Sequence, residues 1–193
     1  ETRRLRTKHG HVLEGLPNHR VRVLGQDLSL SWKMLGEIEP GDCVLEQPAT
    51  VFGRNSLPLD VAELVGWFIA EGVREEGNPK AAVNTARLHL HDDEIDYVEQ
   101  LAKRAAPFLK AEVSVSREYR YVSVTGGIVR DVFPSGTSKV KTVPCSILTG
   151  TRATICAFLR GFFSGDGHSG QVECSAVTVS QRLADQIRVL LTS

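Results

Sequence analysis

The sequence predicts an α+β fold, in which a small all-β unit is followed by two copies of a unit that mixes helices with strands. Two observations predict this class. Residues 5–46 alternate apolar and polar side chains in short runs that Gly and Pro interrupt, as in strands joined by tight turns. From Asp60 onward, amphipathic helices alternate with strand-like runs, and one nine-residue pattern occurs twice. We therefore expect a boundary between two structural units near residues 48–58.

Composition narrows the classes of protein that the chain can belong to. The 193 residues are 41% hydrophobic, and Lys+Arg 23 balance Asp+Glu 23, so the overall charge neither favours nor excludes nucleic-acid binding. No apolar run approaches the roughly 20 residues that span a bilayer, and no signal peptide opens the chain. Four scattered cysteines without a CxxC pair argue against a zinc site or a disulfide scaffold. We expect a cytoplasmic (intracellular) protein without a membrane partner.

The repeated pattern reads Leu-x-Gly-aromatic-aromatic-x-small-acid-Gly. Its two copies are LVGWFIAEG at 64–72 and LRGFFSGDG at 159–167. After each copy the pattern predicts a strand and then an amphipathic helix, namely RLHLH and DEIDYVEQLAKRAAPFL in the first, and QVECSAVTV and SQRLADQIRVLL in the second. The first copy continues into a predicted hairpin at 111–126 and a short helix, and the second copy is predicted to be incomplete.

Small residues share one face of each predicted motif helix. Gly66 and Ala70 lie four residues apart in the first helix, and Gly161 and Gly165 in the second. Two helices with small residues on facing sides can bring their backbones unusually close. We therefore expect these four residues to form an interface between the two motif helices.

An acid ends each motif helix, Glu71 in the first and Asp166 in the second, and we expect the glycines that follow, Gly72 and Gly167, to take the left-handed capping conformation. If the helices pack side by side, the two carboxylates emerge together and repel each other. Mg²⁺ would relieve that repulsion, because it takes carboxylate and phosphate oxygens and can activate water against a phosphodiester. A single such string would more often mark a buried helix, but the second copy favours a metal site.

These strings resemble the paired motifs of the LAGLIDADG (dodecapeptide) homing endonucleases, with Glu71 and Asp166 at the acidic positions. The resemblance implies two pseudosymmetric αββαββα halves, the second truncated here, which meet at the motif helices in a monomer with internal pseudo-two-fold symmetry. It further implies that each half lays a curved antiparallel sheet in the major groove of a double-stranded DNA target. The acids would bind Mg²⁺ as the cofactor, and cleavage would leave short 3′ overhangs.

The segment KVKTVPCSIL resembles the Lys-x-x-Pro block that precedes the second motif helix in intein-borne members of this family. Lys141, three residues before Pro144, matches the active-site lysine of that block, and Lys139 is the nearby alternative. A cation at this position could stabilise charge on the phosphate or position the attacking water. The implied catalytic residues are therefore Glu71, Asp166 and Lys141.

The N-terminal segment is similar to the protein-splicing (Hint) domain of inteins. GHVLEGLPNHRVRV resembles the block with the Thr-x-x-His signature, and WKMLGEIEPGDCVLEQ resembles the Trp…Leu-x-x-Gly-Asp element that follows it. His19 matches the histidine that assists the first acyl shift, although Leu16 stands where threonine is usual. Neither a nucleophile block with Cys or Ser nor a terminal His-Asn segment is found, so we expect no splicing by this chain alone. The host protein's exteins are an implied partner.

These resemblances divide the chain into three parts: a partial Hint segment at 1–52, a first LAGLIDADG repeat at 58–136 and an incomplete second repeat at 137–193. We expect the chain by itself to be a poor nuclease, because its second DNA-binding sheet is predicted to be incomplete.

Side-chain alternation within the predicted strands and hairpin assigns residues to the DNA-facing surface, since successive side chains of a strand point to opposite faces. The candidates are Arg87, His89, His91, Ser114, Ser116, Arg117, Arg120, Tyr121, Ser123, Gln171, Glu173 and Ser175. For His89 and His91, which Asp92 and Asp93 follow, a structural metal and a solvated surface are alternatives. The aromatic residues of the motifs are expected in the core.

Two other functions use the same fold, namely a DNA-binding regulator that has lost catalysis and an RNA-binding maturase. The acids at both motif positions and the Lys141 block favour the nuclease over the regulator. The splicing-like N-terminal segment argues against the maturase. The sequence therefore predicts a Mg²⁺-dependent, site-specific DNA endonuclease borne in an intein.

Overall fold

The structure, a computed structural model, describes residues 1–46, 52–74 and 84–192. Its contacts divide the chain into two compact units, Glu1–Pro48 and Ala49–Ser193. Part of the predicted boundary segment, 48–51, lies outside the described residues. The combination of helices with antiparallel sheets confirms the predicted α+β class. In the part of the chain that the structure describes, no helix has both the length and the apolar character that a membrane crossing demands.

The first unit consists of short antiparallel strands. They are β1 (Arg3–Arg6), β2 (Val12–Gly15), β3 (Arg20–Leu24), β4 (Leu30–Met34) and β5 (Cys43–Val44). Strands β1 and β2 form a hairpin, and a three-stranded sheet has the order β4-β3-β5. A single turn of 3₁₀ helix follows β4 and buries Leu35, and Val21 and Val23 of β3 are buried as well. Few apolar side chains are buried in this unit, so its core is small.

The second unit begins with the elements α1 (Leu59–Glu71), β6 (Gly72–Arg74), β7 (Asn84–His89), α2 (Ile95–Leu109), β8 (Ala111–Ser116), β9 (Tyr121–Gly126) and α3 (Val129–Val132). It continues with α4 (Cys145–Leu148), α5 (Arg152–Gly165), β10 (Gly167–Ser169), β11 (Cys174–Ala176) and α6 (Gln181–Leu191). Two strands and a helix follow each motif helix in the same order: β6, β7 and α2 follow α1, and β10, β11 and α6 follow α5.

A four-stranded antiparallel sheet, in the order β6-β7-β9-β8, holds the core of the second unit. Leu88, Val122 and Val124 on one face are fully buried, and they belong to the same cluster as apolar side chains of α1 and α2. Helix α2 supplies apolar residues at helical spacing, including Val98 and Leu101, so that one stripe covers the sheet. The other face of the sheet carries polar side chains.

The second copy has less strand than the sequence predicts. Only Cys174–Ala176 of QVECSAVTV is a strand, and it pairs with β10 alone in a two-stranded sheet. Val172 and Val177 beside it are 96% and 84% exposed. The prediction of a longer strand in this segment is therefore wrong. An alternating segment gains little from forming a strand when no layer covers its apolar side chains.

The glycines after the motif helices have a different role from the predicted one. Gly72 is extended, at φ −93° and ψ 154°, and among the described glycines positive φ values occur elsewhere, so the left-handed caps predicted at Gly72 and Gly167 are wrong. Each glycine begins a strand that leaves the helix at once. A Cβ atom would lie 2.5 Å from the carbonyl oxygen of Phe68 at Gly72, and 2.0 Å from that of Phe163 at Gly167. Lack of space against the last helical turn therefore requires glycine.

Candidate active site

Helices α1 and α5 cross with their backbones in contact at two glycines. A Cβ atom on Gly66 would lie 2.1 Å from the carbonyl oxygen of Phe158, and one on Gly161 would lie 2.0 Å from the carbonyl oxygen of Glu63. Side chains do not fit into contacts this short, because protein interiors are already close-packed. Any larger residue at either glycine would push the two helices apart.

The close approach continues toward the C-terminal ends of both helices. A Cβ atom on Gly165 would lie 2.6 Å from the Cβ of Ala70 and 3.3 Å from the Cγ of Glu71. Glu71 is the last residue of α1, and Asp166 follows the last residue of α5. The structure therefore brings the two carboxylates together at one end of the helix pair, where the charge of Asp166 acts on Glu71.

Both carboxyl groups are half-buried and resist ionisation. Burial is the main cause that raises the pKa of Glu71, and the negative charges of Asp166 and Glu94 add to it. Burial also raises the pKa of Asp166. Lys141 opposes the rise at both acids, and His91 opposes it at Glu71. Two carboxylates in this state would gain from a bound cation, which would stabilise their charged forms.

The ammonium group of Lys141 lies at the end of α1 beside the acids. It donates hydrogen bonds to the carbonyl oxygens of Ile69, at 2.8 Å, and of Ala70, at 3.2 Å. Burial lowers the pKa of Lys141, whereas the charges of Asp166 and Glu71 act to raise it. The last carbonyls of a helix lack partners within the helix, so this lysine satisfies two of them and fixes its own position.

Lys141 and Val143 are hydrogen-bonded to α6 and to its capping residue. Ser180, which caps α6, donates its hydroxyl to the carbonyl oxygen of Lys141 at 2.8 Å, and Gln186 accepts from the backbone N–H of Val143 at 2.8 Å. Lys139 lies on the preceding 3₁₀ turn and is exposed. The structure thus places Lys141, rather than Lys139, beside the acids.

Two further residues near Glu71, His91 and Glu94, were not predicted as part of this site. His91 was predicted to face DNA from a strand, but β7 ends at His89 and His91 lies in the following turn, so the predicted strand position is wrong. Its backbone N–H donates to Oε2 of Glu94 at 2.8 Å. The spacing, with an acid three residues after the donor and just before a helix, resembles one half of a capping box and could have revealed the turn.

The donor set suits Mg²⁺ better than a soft metal ion. Among residues 1–46, 52–74 and 84–192, no group of three or more His, Cys, Asp or Glu side chains could hold a metal. Zinc sites need such a set, whereas Mg²⁺ is commonly held by one or two carboxylates together with waters and substrate phosphates. Glu71 and Asp166 supply two carboxylates. The alternative of a structural metal at His89 and His91 has no support in the described residues.

Six of the predicted DNA-facing side chains lie on the polar face of the four-stranded sheet. Residues that pair directly across antiparallel strands share a face. The register forms two rows across β7, β9 and β8, which are Arg87–Ser123–Ser114 and His89–Tyr121–Ser116. A third row, Thr85–Thr125–Glu112, extends the same face and was missed, although its members follow the same alternation.

Tyr121 lies in the row at one end of the polar face, where its ring contacts two neighbours. The guanidinium of Arg87 is 5.6 Å from the centre of its ring, and the ring centre of His89 is 6.1 Å away. These contacts order the long side chains before any partner binds. Ser123 is only 4% exposed beneath its neighbours, so a direct contact of Ser123 with DNA would require them to move.

The two arginines of the β8–β9 turn already have carboxylate partners. Arg117 contacts Asp96 at 2.7 Å and Glu99 at 3.4 Å, and Arg120 contacts Asp92 at 3.1 Å. Exposed pairs of this kind contribute little to stability, because solvent screens both charges. Both arginines therefore lie where they could exchange these partners for phosphate.

The DNA-facing candidates of the second copy are not brought into one strand. Ser175 lies in β11 and pairs with His168. Gln171 and Glu173 precede β11, and the backbone N–H of Gly170 bonds to the carbonyl oxygen of Glu173 at 2.8 Å, which closes a turn. The prediction of a continuous strand face for these three residues is wrong, because the strand is short.

His19 lies in the first unit, immediately before β3. Its side chain is exposed, its backbone N–H bonds to the carbonyl oxygen of Leu16 at 2.9 Å, and its own carbonyl accepts from Leu35 at 2.7 Å. These bonds build a turn, and the splicing role of His19 stays a prediction.

A buried carboxylate that the sequence reasoning missed lies inside the helix crossing. Glu63 of α1 is 5% exposed, contacts Nη1 of Arg160 on α5 at 2.8 Å, and accepts a hydrogen bond from the hydroxyl of Tyr97, which raises the pKa of that tyrosine. Removing one partner from a buried charge is costly, so this cluster resists sliding of one helix along the other.

Comparison with known proteins finds relatives that share only part of their length with this chain. No protein-family model matches the chain. The DNA polymerase of Thermococcus kodakarensis is 31% identical over 157 residues, which cover 75% of this chain and 9% of the polymerase. A DNA gyrase subunit from Mycobacterium leprae is 27% identical over 211 residues, which cover 99% of this chain and 16% of the gyrase polypeptide. The chain thus corresponds to a small part of either relative.

Proposed function

We propose that this chain carries the catalytic centre of a Mg²⁺-dependent, site-specific DNA endonuclease of the LAGLIDADG type, borne within an intein. The observation that carries the proposal is the convergence of Glu71, Asp166 and Lys141 at one end of the α1–α5 pair. A strand leaves each helix at that end, and β6 belongs to the sheet with the polar face. The groups that would cut DNA and a surface that would bind it therefore adjoin.

The relatives support a connection with DNA and with an inserted element. Both are named for enzymes of DNA, yet a polymerase and a gyrase are different enzymes. Similarity of one short chain to a small share of each is what a segment carried inside unrelated hosts would give. On this proposal the exteins of the host are partners, and the first unit, with His19, is part of a splicing domain.

The chemistry proposed is hydrolysis of a phosphodiester. The oxygen of a water bonds to phosphorus while one P–O bond breaks, and the departing oxygen takes a proton. Mg²⁺, when bound, supplies Lewis acidity and lowers the pKa of bound water. The half-buried carboxylates of Glu71 and Asp166 would hold that ion, and their raised pKa values mean that the ion would be held most weakly in acid.

Lys141 would act on the phosphate itself. An ammonium group has three N–H donors, and the carbonyls of Ile69 and Ala70 take two of them. The third can donate to a phosphate oxygen or to the attacking water. Because two bonds fix its position, this donor needs little reorganisation as charge develops in the transition state.

The polar face of the sheet would contact the DNA. Arg87 and His89 can donate to base edges or to phosphate, and the hydroxyl groups of Ser114 and Ser116 can donate or accept. A β-surface can enter the major groove, where each base pair presents a distinct set of donors and acceptors.

The test is cleavage of a plasmid that carries the host gene with the coding sequence of the insert removed. It is run with Mg²⁺ and with EDTA, for the wild type, Glu71→Gln and Asp166→Asn, with Asp131→Asn as control. Asp131 is an exposed carboxylate of α3 outside the site. We expect slow Mg²⁺-dependent cutting at one site, since the second DNA-binding sheet is predicted to be incomplete, and we expect this cutting to be lost in both site variants and retained in the control.

Two results would contradict the proposal. Specific binding of the junction without cutting would indicate a DNA-binding module that has lost catalysis. Cutting that survives Glu71→Gln and Asp166→Asn would place the catalytic centre elsewhere.

A further inference from the structure

One face of the sheet in the first unit is exposed and carries an indole ring that two guanidinium groups contact. The register sets Arg22 opposite Trp32 and Arg20 opposite Met34, so these four side chains share a face, and Leu30 lies at its end. We call these five residues the Trp32 face. Its apolar members are exposed by 54% at Trp32, 52% at Leu30 and 48% at Met34.

The other side of the same two strands buries the apolar side chains of β3 and carries an ion pair from β4. Val21 and Val23 of β3 are buried there, and Lys33 of β4 pairs with Asp42 at 2.7 Å. Antiparallel sheets usually bury their apolar face and expose a polar one. Strand β4 instead sends its three large apolar side chains outward, and such a patch commonly marks an interaction site.

The positive charges of the Trp32 face are held in place but not neutralised. The guanidinium carbons of Arg22 and Arg20 lie 5.0 and 5.5 Å from the centre of the indole. Within the described residues, neither arginine has a carboxylate within 4.0 Å, whereas Arg4 on β1 contacts Glu14 at 3.2 Å. A cation–π contact leaves N–H groups of arginine free to donate. The face therefore favours an anionic partner.

We propose that the Trp32 face binds the phosphodiester backbone of duplex DNA, as a contact surface separate from the acids and sheet of the second unit. Guanidinium groups bind phosphate through paired N–H donors, and the indole orders both of them before binding, which reduces the entropy lost. Leu30 and Met34 would pack against the sugars. A single-stranded base would have to displace the guanidiniums from the ring, so the backbone of a duplex is the better ligand.

This inference goes beyond the nuclease, since it requires neither a metal ion nor a catalytic residue. It gives the first unit a role in holding DNA in addition to the splicing role predicted from its sequence. It also explains why basic residues accompany an exposed aromatic side chain in a chain with net charge +0.

The test is the salt dependence of DNA binding by the full chain in EDTA. Fluorescence anisotropy with a random-sequence duplex of about 40 bp is measured over a range of salt concentrations for three variants. They are Arg20→Gln with Arg22→Gln, then Trp32→Leu, and then Arg4→Gln with Arg104→Gln as control. The control removes two exposed arginines that already pair with carboxylates, so it loses the same charge.

In the double variant of the Trp32 face, we expect the slope of log affinity against log salt concentration to become shallower by about 1.8. Each of the two lost phosphate contacts removes about 0.9 from the slope. The affinity of the double variant at low salt should fall by about tenfold, and that of Trp32→Leu by a few-fold. The control should keep the slope within about 0.5 of the wild type.

An unchanged slope in the double variant would overturn the proposal, and so would a loss of affinity without a change of slope. If the wild type sediments as a dimer that Trp32→Leu dissociates, while the slope stays the same, the face is a protein interface and the proposal also fails. Failure of the nuclease test would leave the expected slope change intact, because no cleavage is measured here.

Discussion

At the residue scale, Glu71 and Asp166 are placed where their charges destabilise the protein. Their pKa values are raised in the fold, so the folded state binds protons more tightly than the unfolded state. The protonated carboxyl groups stabilise the fold in full at pH values below their pKa in the unfolded state. This stabilisation is lost as the pH rises through their higher pKa values in the folded state. The site therefore lowers stability at neutral pH in the absence of metal.

Replacing Glu71 by Gln should accordingly stabilise the metal-free protein at pH 7. The free energy of unfolding should rise by up to about 1 kcal/mol, which corresponds to a few degrees in Tm. The gain is no larger because the side chain keeps contact with solvent. It should vanish below pH 4.5, the ordinary pKa of this group, where the wild-type carboxyl is protonated too. Thermal unfolding in EDTA at both pH values measures it.

The same samples in Mg²⁺ provide the control. Mg²⁺ should raise the Tm of the wild type and not that of the variant, because a ligand stabilises only the form that binds it. A Gln variant that is less stable than the wild type at pH 7 in EDTA would contradict this account.

Lys141 and Lys139 form a matched pair two residues apart. Lys141→Met should lower kcat about 10²- to 10³-fold, since it removes a positioned donor, and should change the Kd for DNA only a few-fold. Lys139→Met should leave kcat within about two-fold, because this exposed side chain lies away from the acids. Single-turnover cleavage and anisotropy separate the two quantities. If both variants lost kcat equally, the buried position of Lys141 beside the acids would have no role in catalysis.

At the scale of elements, the crossing of α1 and α5 determines how close the acids can come. Gly161→Ala puts a Cβ atom 2.0 Å from the carbonyl oxygen of Glu63, a backbone atom that cannot move without its helix. We expect a loss of about 2–4 kcal/mol in the free energy of unfolding, although alanine alone favours a helix by about 1 kcal/mol. Urea unfolding measures the change.

Ser164→Ala is the control for this substitution, since Ser164 lies on the exposed side of the same helix. It should change the free energy of unfolding by no more than about 0.5 kcal/mol. If Gly161→Ala behaved like this control, the backbone contact between the helices would be disproved.

At the scale of the whole molecule, the sheet of the second unit separates an apolar layer from a polar face. Ser114→Asp puts a negative charge on the polar face and should weaken DNA binding about tenfold with little change in stability. Gln100→Glu adds the same charge at an exposed position of α2, the helix that covers the opposite face, and should change the affinity for DNA by less than about two-fold. Anisotropy with duplex DNA compares them, and equal weakening would mean that net charge, not the face, matters.

Much of the fold could be predicted from local patterns. The periodicity of α2, the alternation in β8 and β9, and the repeated motif each depend on residues near in sequence, so the α+β class and the side of the strand on which Arg87, Ser114 and Tyr121 lie followed from them. The register that joins these residues into rows across three strands did not. The strand prediction failed at QVECSAVTV because strand formation depends on a neighbour that covers it, which alternation alone does not report.

The sequence by itself determined the pair of motif helices, their small residues and the acids at their ends, because those features follow from spacing along one helix. Only the tertiary structure decided between Lys141 and Lys139 as the neighbour of the acids, brought His91 near Glu71, and buried Glu63 against Arg160. Each of these depends on contacts between residues distant in sequence. Burial and mutual charge, which set the chemistry of the site, exist only after such contacts form.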